Sequence, residues 1–134
     1  LVYTTGFFDG EPGLVAIYTS AVFYPNSSRP RQLQSLAYSK DNGRTWLKYE
    51  GNPVLSDAKI TDYRDPKVFW HDETKKWVMV LVTGQSITIY TSLNLIDWEY
   101  GSEFGNKAGS HEGVWECPDL FKLSVDGNKE NEKW

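Results

Sequence analysis

The sequence predicts an all-β chain built from the four-stranded blades of a β-propeller. Three observations point there: short segments rich in β-branched and aromatic residues, clusters of turn residues between them, and a match of the chain to itself at an offset of 52 positions. No window offers an amphipathic helix of three turns.

Taken in order, the strand candidates are residues 14–18, 34–38, 46–49, 66–70, 77–82, 87–90, 98–100 and 117–123. Asp41-Asn42-Gly43, Asp72-Glu73-Thr74, the stretch from Asn94 to Asp97, and Asp126-Gly127-Asn128 separate them with turn chemistry. At the offset of 52, Tyr38 meets Tyr90, Ser39 meets Thr91, Asn42 meets Asn94 and Trp46 meets Trp98. In the same register Pro66 meets Pro118, Val68 meets Leu120 and Phe69 meets Phe121. One period holds four strands, the size of a blade that must stack on neighbours to bury both faces. The pattern predicts the last three strands of one blade, one whole blade and the opening of a third. Trp46, Trp77 and Trp98 recur at blade positions and are expected in the core.

Composition narrows the partners. The 134 residues carry 14 Lys+Arg against 18 Asp+Glu, a net charge of −4 with no basic stripe, which argues against nucleic acid. The longest aliphatic run, residues 78–82, is far short of the roughly 20 residues of a bilayer span. A single cysteine, Cys117, excludes an intrachain disulfide, and two distant histidines, His71 and His111, offer no zinc spacing. Both histidines read as ordinary polar surface. The aromatic share is heavy, with 6 Trp, 8 Tyr and 6 Phe. Leu1-Val2-Tyr3 begins inside an apolar stretch, and Lys133-Trp134 follows a turn after which a strand should begin, so the chain is expected to be a fragment of a longer one. Such a fragment exposes blade faces and is expected to be poorly stable alone.

Ser39-Lys40-Asp41-Asn42-Gly43-Arg44-Thr45-Trp46 fits the S-x-D-x-G-x-T-W turn of sialidase-like propellers, in which Asp41 bonds hairpin amides and Gly43 supplies a positive φ. That turn is structural. The chemistry lies elsewhere. Asp65 in Arg64-Asp65-Pro66 and Glu116 in Glu116-Cys117-Pro118 stand before corresponding first strands of two consecutive blades, and first strands line the channel of a propeller. The fold thus brings together two carboxylates 51 residues apart. Pro66 and Pro118 are expected to hold the residue before them extended. Paired carboxylates at a concave mouth suit glycosidic cleavage, with one acid protonating the leaving oxygen. Arg64 beside Asp65 favours an ionised carboxylate, and the apolar neighbours Trp115 and Cys117 suggest an apolar setting for Glu116. On spacing alone, surface acids at turns stand as an equal reading. Cys117 is read as packing, Trp115 as either a sugar platform or core, and Asp119 is left unassigned.

Arg64-Asp65-Pro66 and Trp115-Glu116-Cys117-Pro118-Asp119 resemble the R-D-P and W-E-C-P-D motifs of glycoside hydrolase family 32, the β-fructosidases. Leu14 to Thr19, Gln34 to Trp46, Gly51-Asn52-Pro53-Val54-Leu55 and Ser102-Glu103-Phe104-Gly105 are similar to fungal and yeast members, so the resemblance spans the chain. It implies a five-bladed catalytic propeller followed by a β-sandwich, of which residues 1–134 would be a part lacking the first blade and the sandwich. It further implies retention of configuration through a fructosyl-enzyme intermediate, a sucrose or fructan substrate, no cofactor or metal, and an extracellular or cell-wall location. By position, Glu116 resembles the general acid/base, Asp65 the transition-state stabiliser, and Arg64 a residue that holds the fructosyl ring; Trp115 is the neighbouring candidate for substrate binding. The family's nucleophile lies in a W-M-N-D-P-N-G motif that this sequence does not contain, so the chain alone is expected to be inactive. Asn26-Ser27-Ser28 is an N-glycosylation sequon compatible with secretion. The rivals are an arabinan- or xylan-type furanosidase of related fold and a non-catalytic carbohydrate-binding propeller.

Overall fold

The computed structural model describes residues 2–3 and 12–134, and among them every regular element is a strand. The first antiparallel sheet runs in the order β1 (Val2–Tyr3), β2 (Gly13–Val22), β3 (Arg31–Ser39) and β4 (Leu47–Lys48). The second follows with β5 (Tyr63–His71), β6 (Lys76–Thr83), β7 (Ile87–Ser92) and β8 (Glu99–Phe104). A hairpin of β9 (Leu123–Val125) and β10 (Asn128–Lys133) stands after them. Each large sheet is an up-and-down meander with sequential neighbours, the form of a propeller blade.

The first sheet has four strands where the sequence pattern predicts three. Val2 and Tyr3 pair with Leu14 and Gly13, and a two-residue strand is too short to display a period of two. β2 and β3 also run further than their apolar centres suggest, because polar pairs continue the ladder. Thr19 faces Gln34, and the Ser20 hydroxyl donates to Ser35 Oγ at 2.7 Å.

The two sheets meet through their apolar faces. Val15 and Leu36 of the first join Trp77 of the second and Leu95 of its β7–β8 turn in one buried cluster, while Tyr63, Met79 and Leu81 form another. Ile17, Val68 and Trp98 pack against both clusters. β6 is central in its sheet and covered on both faces, so residues 77–82 are all buried. Each such side chain contributes about 1.5–3 kcal/mol of transfer free energy. The expectation for the tryptophans holds for Trp77 and for half-buried Trp98; Trp46 is 44% exposed and ties its own turn together instead.

That turn is wired as its sequence suggests. The Thr45 amide and hydroxyl donate to the two Asp41 oxygens at 2.8 and 2.7 Å, the Ser39 hydroxyl donates to Asp41 Oδ1 at 2.8 Å, and Trp46 Nε1 donates to Gly43 O at 3.1 Å. Those donors, the Thr45 hydroxyl first, hold the Asp41 carboxyl at about 2. The second blade repeats the device with Ser92, Asn94, Leu95 and Trp98: the Leu95 amide donates to Ser92 Oγ at 2.9 Å and Trp98 Nε1 donates to Leu95 O at 3.1 Å. Gly43 at φ 83° and Leu95 at φ 67° are equivalent, 52 apart, but Ser39 corresponds to Ser92 and Asp41 to Asn94. The pairings of Tyr38 with Tyr90, Ser39 with Thr91 and Asn42 with Asn94 are therefore one position out, because the second turn is one residue shorter.

Residues 117–123, which the sequence pattern predicts as a strand, do not form one except at Leu123. Cys117 adopts φ 48°, which breaks an extended run, and β10 pairs only with residues 123–125. Phe121, Leu123 and Trp134 remain exposed here, although Trp134 stacks on Phe69 at 5.3 Å.

Candidate active site

The entrance to β5 is built on a backbone irregularity. Arg64 pairs with Val82 and Lys67 with Val80, so Asp65 and Pro66 together oppose one residue. This bulge places Asp65 at φ 58°. Cys117, its equivalent 52 positions on, adopts φ 48°, also ahead of a proline. The expectation that the prolines keep their predecessors extended fails at both. Left-handed non-glycine residues cost about 1–3 kcal/mol and persist where surrounding contacts over-determine them.

Those contacts are present. The Cys117 N–H donates to Asp65 Oδ2 at 3.0 Å, and the Asp65 N–H donates to Thr19 Oγ1 on β2 at 3.1 Å. Turning the backbone at Asp65 also brings Arg64 Nε to 3.8 Å from Asp65 Oδ2, a contact that strand alternation would have denied.

Arg64 is the hub. Its Nη2 donates to Glu116 Oε1 at 3.1 Å, and its Nη1 donates to Asp62 Oδ1 at 2.5 Å and Gln32 Oε1 at 3.3 Å. The Asp62 bond first, and the Glu116 bond behind it, push the guanidinium above its ordinary value against the opposing effect of burial. One fixed cation therefore touches two candidate carboxylates. Further along, Lys67 Nζ meets Asp119 Oδ1 at 3.1 Å. The three pairings Arg64 with Glu116, Asp65 with Cys117 and Lys67 with Asp119 each span 52 residues. The sequence repeat is thus a contact map of two adjacent blade entrances.

Glu116 does not occupy the apolar setting suggested by its neighbours. Its side chain is 65% exposed and faces Arg64. Trp115 turns to the loop before it: its Nε1 donates to Ser110 O at 2.8 Å, its N–H donates to Gly84 O at 3.0 Å, and its ring fills the space beside Gly105 and Gly109. His111 belongs to the same loop, with Nε2 2.8 Å from Gly105 O, so it has a structural tie that the sequence did not reveal. His71 lies 2.8 Å from Thr74 Oγ1.

Sequence reasoning missed Asp62, Gln32, Thr19 and Gln34. Asp62 had a weak signal only, as an acid two positions from Arg64 just ahead of β5. The others lie on the preceding blade, and no motif or period ties them to Asp65. Below them Tyr63 is buried, donates its N–H to Gln32 Oε1 at 3.0 Å and meets the Tyr90 hydroxyl at 3.0 Å; burial and that bond raise its phenol well above the ordinary range.

The profile of the family described as "Glycosyl hydrolases family 32 N-terminal domain" matches residues 1–134. A levanase of Bacillus subtilis (strain 168) is 58% identical over 98% of this chain and 19% of its own length. The extracellular exo-inulinase inuE of Aspergillus niger (strain ATCC MYA-4892 / CBS 513.88 / FGSC A1513) is 45% identical over 98% of this chain and 27% of its own. Bacterial as well as fungal proteins therefore share the pattern. The crystal structure of an exo-inulinase from Aspergillus awamori superposes with a TM-score of 0.80 at 44% identity, covering 94% of this chain and 28% of that one. The chain spans between a fifth and about a quarter of the length of these curated relatives.

Proposed function

Because the chain belongs to glycosyl hydrolase family 32, we propose that the protein carrying it is a retaining β-fructofuranosidase that releases terminal fructosyl units from sucrose or fructans. The observation that carries this reading is the single guanidinium of Arg64 lying between Asp65 and Glu116, at 3.8 and 3.1 Å. Two carboxylates from separate blades share one anchor, at the strand entrances where a propeller opens its channel.

Glu116 is assigned as general acid/base. In the first half-reaction its carboxyl gives a proton to the glycosidic oxygen as the bond to the fructosyl carbon breaks; in the second its carboxylate takes a proton from the water that releases fructose. Its exposure suits both tasks, since leaving group and water must each reach it. Asp65 is assigned as the transition-state stabiliser. Oδ2 is held by the Cys117 N–H, which leaves Oδ1 for a ring hydroxyl whose bond strengthens as positive charge develops. Arg64 steadies the ring and both acids, and Trp115, its ring turned into the 105–111 loop, anchors the segment that carries Glu116. The attacking carboxylate is supplied by a part of the protein outside these residues, since Trp-Met-Asn-Asp does not occur among them.

We also place the protein outside the cell. The exo-inulinase relative is described as extracellular, and the sequon Asn26-Ser27-Ser28 sits on the exposed β2–β3 hairpin tip. No observation favours the arabinan or xylan reading.

The test is Glu116→Gln in the full-length protein with sucrose, inulin and levan as substrates. Fructose release should fall at least about a hundredfold. Near-wild-type rates on all three would sink the assignment of the acid, and a wild-type protein that released arabinose but no fructose would sink the substrate class.

A further inference from the structure

The least expected feature of the site is the conformation of Asp65, and its support comes from the preceding blade. With φ at 58° the Asp65 N–H leaves the β5–β6 ladder and donates to Thr19 Oγ1 at 3.1 Å. The Thr19 hydroxyl donates in turn to Gln34 Oε1 at 3.0 Å. Gln34 is fully buried, and its Nε2 donates to Tyr63 O at 2.6 Å. The bonds close a loop: from residue 65 across to β2, over to β3, and back to residue 63 of the same strand.

Each member is fixed by its hydrogen-bonding capacity. The Asp65 amide only donates and the Tyr63 carbonyl only accepts, so the groups between them must both accept and donate. A threonine hydroxyl and a glutamine amide do so in the observed order. Thr19 and Gln34 are also direct cross-strand partners, which sets their spacing without side-chain freedom. Gln32, two residues back on the same face of β3, accepts from the Tyr63 amide at 3.0 Å and from Arg64 at 3.3 Å. Thus β2 and β3 grip the backbone on both sides of Arg64 and Asp65.

We propose that Thr19 is a positioning residue for Asp65, holding its left-handed backbone through a Thr19–Gln34–Tyr63 relay so that the carboxylate meets the Cys117 amide and the substrate. The consequence for catalysis rests on the role assigned to Asp65 above. The relay itself does not. Without the hydroxyl, nothing on β2 satisfies the Asp65 amide, and the strained turn relaxes toward the extended form that a residue before proline prefers. The carboxylate then swings off the Cys117 N–H.

Two variants of the full-length protein test this with two readouts, amide hydrogen exchange at Asp65 by NMR and steady-state fructose release. Thr19→Val keeps the shape and removes the hydroxyl, whereas Thr19→Ser keeps the hydroxyl. In Thr19→Val the Asp65 amide should exchange at least about tenfold faster while amides of residues 78–82 keep their protection, and kcat should drop roughly ten- to a hundredfold with KM little changed. Thr19→Ser should restore both. The proposal is overturned if Thr19→Val leaves exchange at Asp65 unchanged, if exchange rises while kcat holds, or if Thr19→Ser is as impaired as Thr19→Val. A wild-type protein inactive on sucrose, inulin and levan overturns the fructosidase reading instead, and the exchange result alone then decides the relay.

Discussion

Asp65 and Cys117, 52 residues apart, are locked to each other by a 3.0 Å hydrogen bond from the Cys117 amide to Asp65 Oδ2, and both are left-handed residues ahead of a proline. The bond orients a candidate catalytic carboxylate through backbone alone, so the cysteine side chain is not needed for it.

Asp65→Asn separates orientation from charge. Asparagine tolerates the left-handed region and keeps an oxygen for the Cys117 amide, so the midpoint of thermal unfolding should move by only a few degrees, about the effect of 1 kcal/mol or less. Fructose release should fall by about two orders of magnitude or more, because the lost charge acts on the transition state. Steady-state kinetics beside a melting curve checks both halves, and a variant with wild-type kcat would remove Asp65 from the mechanism.

Arg64→Lys should not be conservative. The guanidinium serves Asp62 and Gln32 through Nη1 and Glu116 through Nη2, and a single ammonium cannot span them. A loss in kcat/KM of roughly tenfold to a hundredfold is expected, about 1.4–2.7 kcal/mol at the transition state. Retention of full activity would show that only positive charge is required.

Asp41 gives a pH dependence of stability. Its folded value of about 2 lies below the ordinary 3.8, so its stabilising contribution is fully present above about pH 4 and is lost as the pH falls toward 2. The unfolding midpoints of the wild type and Asp41→Asn should differ near pH 6 and converge near pH 2. Parallel curves over that range would mean that the carboxylate bonds to Thr45 and Ser39 do not stabilise the turn.

Gly105→Ala probes the seat of Trp115. A Cβ there would lie 2.3 Å from the Trp115 ring, on a backbone at φ 98°. The ring must move and the Glu116 segment moves with it, at a cost of about 1–3 kcal/mol. Changed tryptophan fluorescence should accompany a lower melting midpoint and slower fructose release. Unchanged fluorescence with intact activity would show that Trp115 does not set the place of Glu116.

Much of this was legible in the chain because it is repetitive. The strands of the second blade follow from apolar segments and their turns, and the offset that aligns Pro66 with Pro118 also picks out the pairs Arg64 with Glu116 and Lys67 with Asp119 that touch in space. A repeat carries long-range information in local form, since equivalent positions of stacked blades become neighbours. The one-residue slip at Ser92 was not visible, because Thr91 and Ser92 offer the same hydroxyl chemistry.

Other features depend on contacts that no local pattern encodes. Proline chemistry argues for extended residues at 65 and 117, yet both are left-handed, because hydrogen bonds between blades outweigh a preference of a few kcal/mol. Apolar neighbours in sequence suggest a sheltered Glu116, yet Trp115 turns into the 105–111 loop and leaves the acid exposed on Arg64. Sequence by itself determined the all-β blades, the family and the candidate charges Arg64, Asp65 and Glu116. Tertiary structure alone decided the backbone sign at Asp65 and Cys117, the reach of Thr19 and Gln34 from the first blade, and the hub at Arg64. The division has one physical cause: strand periodicity and turn chemistry are short-range, whereas satisfying a displaced amide or placing a guanidinium between carboxylates needs partners that only the packed sheets bring within hydrogen-bond distance.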